Sequence, residues 1–216
     1  MNFHRIENDL FRSNCYVLWD ENRGAILIDP GSRDLYTIRR FLRDHSLTPE
    51  FIILTHEHFD HIFGCADLKL SFGCRTICSK TCGMNVADAK RNYSAFYGDI
   101  IEIKKVDVFV EDLNFSLNLS SMNLQFLLTP GHSPGGISIQ IGRYLFSGDT
   151  IMKNMKTFIR LPESDKNLLK KSIDIIYRQV PGTTIVMPGH GEMFPLQEMS
   201  PEDILGSTGS IGRSDF

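Results

Sequence analysis

Five of the chain's seven histidines, with two aspartates, fall into four short segments that each follow an apolar run. The segments are Thr55-His56-Glu57-His58-Phe59-Asp60-His61, Thr129-Pro130-Gly131-His132, Ser147-Gly148-Asp149-Thr150 and Pro188-Gly189-His190-Gly191. A fold that uses them together must bring four distant strand ends to one edge. Imidazole nitrogen and carboxylate oxygen are ligands of borderline divalent metals, and seven such groups suit two adjacent ions that keep positions open for water. A single histidine after a strand is usually a surface or satisfied core residue. The four segments together point to a dinuclear metallohydrolase.

Spacing supports this reading. Phe51-Ile52-Ile53-Leu54 is a β-branched apolar run that reads as a buried strand, and the histidine-rich segment starts where it ends. In an extended chain His56, His58 and Asp60 would share one face and His61 the other, so the loop must curl to seat a second metal beside the first. Gly131, Gly136, Gly148, Gly189 and Gly191 supply conformational freedom and close backbone approach beside the other ligands. The helical H-E-x-x-H pattern of zinc proteases is absent, because His58 follows His56 by two residues and not four.

The chemistry follows from such a site. A hydroxide held between two divalent cations is nucleophilic at neutral pH, since coordination lowers the pKa of water from 15.7 to about 7. Asp60 is placed to accept its proton and aim its lone pair. One ion would polarise a carbonyl while the other supports the leaving group, and no Ser or Cys nucleophile is needed. Zinc suits these ligands, and iron and manganese fit the same donors.

From about Asn14 to Gly191 the chain resembles the metallo-β-lactamase-fold superfamily, and within it the small glyoxalase II-like hydrolases, which cleave hydroxyacylglutathione thioesters. The shared parts come in the family's order: Leu27-Ile28-Asp29-Pro30-Gly31, then His56 to His61, His132, Asp149 and His190. The resemblance implies a four-layer αββα sandwich of α/β class. It implies that His56, His58 and His132 hold one ion, that Asp60, His61 and His190 hold the other, and that Asp149 bridges two zinc ions. Asp29 would support the histidine loop from behind the ligands; as a strand-ending Asp in an Asp-Pro-Gly turn it has an ordinary explanation too. His58 stands where the diiron flavoprotein branch has Glu, and Asp149 where many β-lactamases have Cys, so neither activity is expected. Glyoxalase II enzymes grip glutathione with a C-terminal helical domain, and 25 residues follow Gly191 here, so a glutathione thioester is not assumed.

Composition bounds the rest. With 216 residues, 42% hydrophobic, the chain can bury a full core as one domain, expected over residues 1–195 with a tail at 196–216. A net charge of −3 and a pI near 6.2 give no basic footprint for nucleic acid. No apolar leader follows Met1-Asn2-Phe3-His4, no run approaches a membrane span, and the five cysteines are an odd number; the expectation is a cytoplasmic enzyme with a small-molecule substrate. Oligomeric state is not legible. Cys74, Cys78 and Cys82 recur every four residues, but a strand passing into a helix near Thr81 makes buried thiols the better reading than a second metal site.

Expected elements are strands at Asn14–Trp19, Ala25–Asp29, Arg75–Ser79 and Thr184–Met187, with short strands dominating from Ile100 to Thr150. Helices are expected after Ser32, over Ile62–Phe72 and Thr81–Arg91, and after Ser164, the two serines acting as caps. Phe59 and Tyr97, the latter in the loop Asn92–Tyr97, are candidate pocket residues, with a packing role the alternative. Lys153, Lys156 and Arg160 are candidates for binding an anionic tail, against a solvated basic strip. The tail Gly209-Ser210-Ile211-Gly212-Arg213-Ser214-Asp215-Phe216 resembles a segment that in glyoxalase II-like and persulfide dioxygenase relatives follows Gly-Asp-Thr directly. Three functions stay open: dinuclear hydrolysis of a thioester or related ester, a mononuclear iron persulfide dioxygenase using the equivalents of His56, His132 and Asp149, and a metal-binding protein without turnover.

Overall fold

The computed structural model describes residues 1–112, 115–119 and 121–205. Its first sheet runs in the order β1 (Asn2–Glu7), β2 (Asn14–Trp19), β3 (Gly24–Ile28), β4 (Thr48–Ile53), β5 (Arg75–Ser79) and β6 (Val108–Val110). β1 to β3 pair antiparallel, and β3 to β6 pair in parallel. Parallel pairs need crossovers, and helices supply them. α1 (Tyr36–Asp44) links β3 to β4, α2 (Phe59–Ile62) and α3 (Cys65–Phe72) link β4 to β5, and α4 (Lys80–Asn85) follows β5.

The second sheet contains β7 (Phe115–Leu119), β8 (Met122–Leu128), β9 (Ile137–Ile141), β10 (Tyr144–Gly148), β11 (Ile185–Pro188) and β12 (Phe194–Pro195), in the order β12-β11-β10-β9-β8-β7. α5 (Lys166–Gln179) crosses from β10 to the parallel β11, and α6 (Pro201–Leu205) packs beside it.

The apolar strands sort their side chains alternately into two cores. In β3, Ala25 and Leu27 pack toward the helices while Ile26 and Ile28 meet the second sheet; Ile52 and Ile53 of β4 divide in the same way. Strands buried on both faces read as continuous apolar runs for this reason. A third core holds Leu145 and Val186 against Leu169, Ile173 and Ile176 of α5. Three cores between four layers make the expected αββα sandwich.

Several local expectations need correction. Ser32 does not cap α1; its hydroxyl donates to Asn8 Oδ1 at 2.9 Å, and the residue at the cap is Leu35, with no side-chain cap bond. Asp165, not Ser164, caps α5, accepting from the amides of Asn167 and Leu168. Ser164 Oγ donates instead to the His132 carbonyl at 2.8 Å. The helix expected over Thr81–Arg91 stops at Asn85, and Asp88 Oδ1 takes the amides of Lys90 and Arg91, an alternative to helix that short polar side chains offer. The helix expected over Ile62–Phe72 is two, α2 and α3, separated at Phe63-Gly64, where the Gly64 amide donates to Pro30 O.

All five cysteines are buried free thiols. Leu196, Met199 and Ile204 are buried against the α5 side, so the first part of the expected tail packs on the sandwich. The Gly209–Phe216 segment lies outside the described residues. Among the described residues no helix is long and apolar enough to cross a membrane.

Candidate metal centre

The histidine segment curls as its spacing requires. His58 is extended, and α2 starts at the next residue, with the His61 amide donating to His58 O at 2.9 Å. That turn brings the His61 ring back to 4.2 Å from the ring of His56. The other three segments arrive from the second sheet. His132 follows β8, Asp149 follows β10, and His190 follows β11, whose end is clamped to the first sheet by Asn14 Nδ2 and Tyr16 Oη donating to Pro188 O.

The seven side chains form two triads around one carboxylate. His56, His58 and His132 bring ligand atoms within 4.8 Å of one another, as do Asp60, His61 and His190. Asp149 lies between them, with Oδ1 3.5 Å from His61 Nε2 and Oδ2 3.5 Å from both His132 Nε2 and His190 Nε2. In each triad two ring nitrogens face each other: His132 Nε2 and His58 Nδ1 at 3.0 Å, His61 Nε2 and His190 Nε2 at 3.3 Å. A tetrahedral ion bound at about 2.0–2.1 Å separates its nitrogen ligands by roughly 3.3 Å, so both spacings suit shared coordination. His56 Nε2 and Asp149 Oδ1 are buried without a hydrogen-bond partner, which costs free energy unless something else occupies them. The donor set and its orphaned atoms fit divalent metal.

Four of the imidazoles are aimed by a bond at the other nitrogen. His61 Nδ1 meets Asp29 Oδ2 at 3.1 Å, His132 Nδ1 meets Phe158 O at 2.7 Å, His190 Nδ1 meets Phe11 O at 3.1 Å, and His56 Nδ1 meets Thr55 Oγ1 at 3.0 Å. Such contacts fix tautomer and ring direction. Asp29 does more than end a strand, because its two oxygens also take Thr55 N at 2.7 Å and Thr55 Oγ1 at 2.6 Å. It does so from a left-handed backbone at φ 52°, a region short polar residues tolerate. Close approach makes glycine necessary at two positions. A Cβ on Gly189 would lie 2.0 Å from Asp149 Oδ1, and one on Gly31 would lie 1.6 Å from Asp60 O.

Glu57, between two ligands, is a brace. It is buried, with its oxygens accepting from Asn85 Nδ2, Ser133 Oγ and Gly135 N, so it ties the histidine segment to α4 and to the loop of His132. Burial raises its pKa, against those hydrogen bonds. The sequence offered no sign of this role beyond a charged residue in an otherwise ligand-dense run.

Electrostatics divide the cluster. Burial lowers His56 far below the ordinary imidazole range and His58 to about 3, with neighbouring histidines adding to the effect. For His61 burial acts in the same direction, but Asp60, Asp149 and Asp29 outweigh it and raise the group to about 10. His190 is raised likewise by Asp149 and Asp60 against burial. Burial opposes ionisation of Asp60 and Asp149, yet the histidines, His61 foremost, hold Asp60 at about 2 and Asp149 below its ordinary value. A proton on His61 thus balances carboxylate charge in the cluster, a charge that a cation would replace.

The cluster forms the floor of a cavity of about 560 Å³, to which His58, Asp60, His132, Asp149 and His190 are open. Phe59 and Tyr97 line it, and Phe59 is at the same time a buried core residue, 5% exposed. Lys153 does not: its Nζ pairs with Glu198 Oε2 at 3.2 Å, and the segment sends Met155, Phe158 and Leu161 to the wall in place of Lys153, Lys156 or Arg160. Phe11, Met152 and Phe158 were missed in the sequence, where nothing local marks them as pocket residues.

The family model of the metallo-β-lactamase superfamily matches residues 8–190. The chain belongs to this superfamily. The hydroxyacylglutathione hydrolase GloC of Haemophilus influenzae is 27% identical over 198 residues, covering 88% of this chain and 91% of its own. Among solved structures, the B3 metallo-β-lactamase BLEG-1 superposes with a TM-score of 0.84 at 29% identity, covering 91% of this chain and 95% of its own. TTHA1623, crystallised in a di-iron-bound form, gives 0.77 at 26% identity, covering 90% and 95%. For a metallo-β-lactamase superfamily member, the two triads and Asp149 are a metal-binding cluster in a hydrolase scaffold.

Proposed function

We propose that the protein is a dinuclear metal-dependent hydrolase, with two zinc ions or similar divalent ions, that cleaves a thioester or related ester. The observation that carries this reading is the pair of three-ligand sets flanking Asp149 at the floor of an open cavity. The likeness to a hydroxyacylglutathione hydrolase supports a thioester, and the di-iron form of a structural relative keeps iron among the candidate metals.

His56, His58 and His132 would hold one ion and Asp60, His61 and His190 the other, with Asp149 reaching both. When bound, the ions supply Lewis acidity toward a carbonyl oxygen and activate water at neutral pH. The chain's own residues do the rest. Asp60, ionised and exposed to the cavity, is placed to accept a hydrogen bond from the attacking water and orient its lone pair. Asp29 and Thr55 hold His61 in place, and the Phe158 carbonyl holds His132. Thioester hydrolysis forms a C–O bond to water oxygen and breaks the C–S bond, and the thiolate takes up a proton that the water gives up.

Asp60, His61 and His190 form the second set that the dinuclear reading uses; mononuclear iron dioxygenases keep the same H-x-H-x-D-H segment, so the metal count separates the two readings. Metal analysis beside an assay on thioesters, esters and lactones tests the proposal. About two ions per chain and thioester turnover abolished by chelation are expected. One iron per chain with oxygen consumption on a persulfide would overturn it.

A further inference from the structure

The wall of the cavity differs in chemistry from its floor. Phe11, Phe59 and Tyr97 touch one another there: Phe59 stacks on Tyr97 with centroids 4.6 Å apart, and Phe11 meets both edge-on at 5.5 and 5.3 Å. Phe96, Met155 and Phe158 extend the surface to the rim. Among the described residues, five of the fourteen exposed large apolar side chains, Phe96 at 73% among them, line this one cavity. Exposed apolar groups that converge on one opening mark a binding surface. The floor is the ligand cluster, so the occupant must also carry a group that reaches it, which a small ester satisfies and a docking protein face does not.

Charge is equally informative. Among the described residues no lysine or arginine lines the cavity; its ionisable groups are ligand side chains and two tyrosines. Of the cations on nearby segments, Lys153 pairs with Glu198 and Arg12 with Glu7, while Lys156 and Arg160 are exposed and do not line the cavity. The carboxylates of a peptide thiol or the phosphates of a nucleotide thiol would find no cation to pair with on this wall, and burying them unpaired is costly.

Taking the hydrolase reading as given, we propose that the substrate is an uncharged thioester or ester whose acyl group is an apolar chain of medium length, seated against Phe11, Phe59, Tyr97, Phe96, Met155 and Phe158. The acyl carbonyl faces the cluster and the chain runs up the aromatic wall. Two backbone contacts couple wall to floor. The carbonyls of Phe11 and Phe158 aim His190 and His132, so the residues that grip the chain also hold the ligands its carbonyl approaches.

The test is a series of N-acetylcysteamine thioesters, from acetyl through butyryl and hexanoyl to octanoyl, on metal-loaded protein, with S-lactoylglutathione alongside. We expect kcat/KM to rise about 4-fold per methylene (~0.8 kcal/mol) until the wall is covered, and octanoyl to exceed S-lactoylglutathione by at least about 10-fold. The Tyr97→Ser, Phe158→Ser double variant, which keeps the Phe158 carbonyl position, should cut the octanoyl-to-acetyl ratio about 10-fold. A flat or falling series, or faster turnover of S-lactoylglutathione, overturns the substrate class and leaves the hydrolase reading intact. Inactivity on every thioester and on the matching esters and lactones overturns the hydrolase reading. Calorimetry then judges the wall by itself: octanamide should bind more tightly than glutathione with a negative heat-capacity change, and equal or absent octanamide binding overturns the inference.

Discussion

At the floor of the cavity four of five imidazoles have a second nitrogen tied to a carboxylate, hydroxyl or carbonyl, whereas at the rim Phe96, Tyr97 and Phe158 stand exposed. The floor is built from strand ends locked between two sheets, and its rings keep their directions even with buried atoms left unpartnered. The rim comes from connecting segments, the 3₁₀ turn Ser94–Tyr97 and the stretch between Asp149 and α5. The contrast separates two tasks: rigid elements fix the geometry that chemistry needs, and adaptable side chains on loops select what enters.

The sharpest way to break the comparison is Asp149→Ala. If the floor works as one unit, removing the carboxylate between both triads should lower kcat/KM by about 10³-fold or more, since several kcal/mol of transition-state stabilisation goes with the ions. Metal content measured on the same sample should fall with activity. Loss of activity with both ions retained would mean that Asp149 does not hold the metals.

The protonation pattern gives the next effect. His61, raised to about 10, carries a proton at neutral pH in metal-free protein and must lose it to act as a ligand; His190 is shifted in the same direction by Asp149 and Asp60 against burial. Zinc uptake near pH 7 should therefore release at least about one proton, and affinity should tighten by about 10-fold or more per pH unit. Metal-free protein should show the matching trend in stability. The His61 contribution is complete below its ordinary pKa of 6.5 and is lost as pH rises through about 10. Proton release in two buffers of different ionisation enthalpy, and a pH series of melting temperatures, check both.

Much of this floor was legible in the sequence, and little of the wall was. The candidate ligands stood out because His56 to His61 packs four donors into six residues behind an apolar strand, a density that core packing alone does not call for. Strands such as Gly24–Ile28 were legible because burial on both faces leaves a bounded apolar run. The helix caps were misplaced because Ser32 and Ser164 are spent on tertiary bonds to Asn8 and His132, which no local pattern reveals. Phe11 and Phe158 were invisible for the same reason: 147 residues separate them, and only the assembled cavity gives them a common role.

Asp29→Asn sharpens the comparison from behind the floor. The isostere keeps the shape but loses the charge facing His61, and its amide brings donors to where Thr55 N and Oγ1 already donate. Replacing such a support typically costs 10–100-fold in metal affinity or activity, and we expect about that loss, read as a weaker zinc dissociation constant. No change would make Asp29 a turn residue only.

Lys153→Ala carries the smallest expected effect and tests the rim's polarity. The basic strip after Asp149 looked suited to an anionic substrate tail, but Lys153 is paired with Glu198 and does not line the wall. A partly exposed ion pair is worth about 0–1 kcal/mol, so the melting temperature should scarcely move. KM for an uncharged thioester should change by less than about 2-fold, and raising the salt concentration should leave it unaltered, because screening acts only where charge steers the ligand. A KM that rises several-fold for an anionic thioester alone would put a cation back at the rim, and the wall would then select by charge as well as by apolar contact.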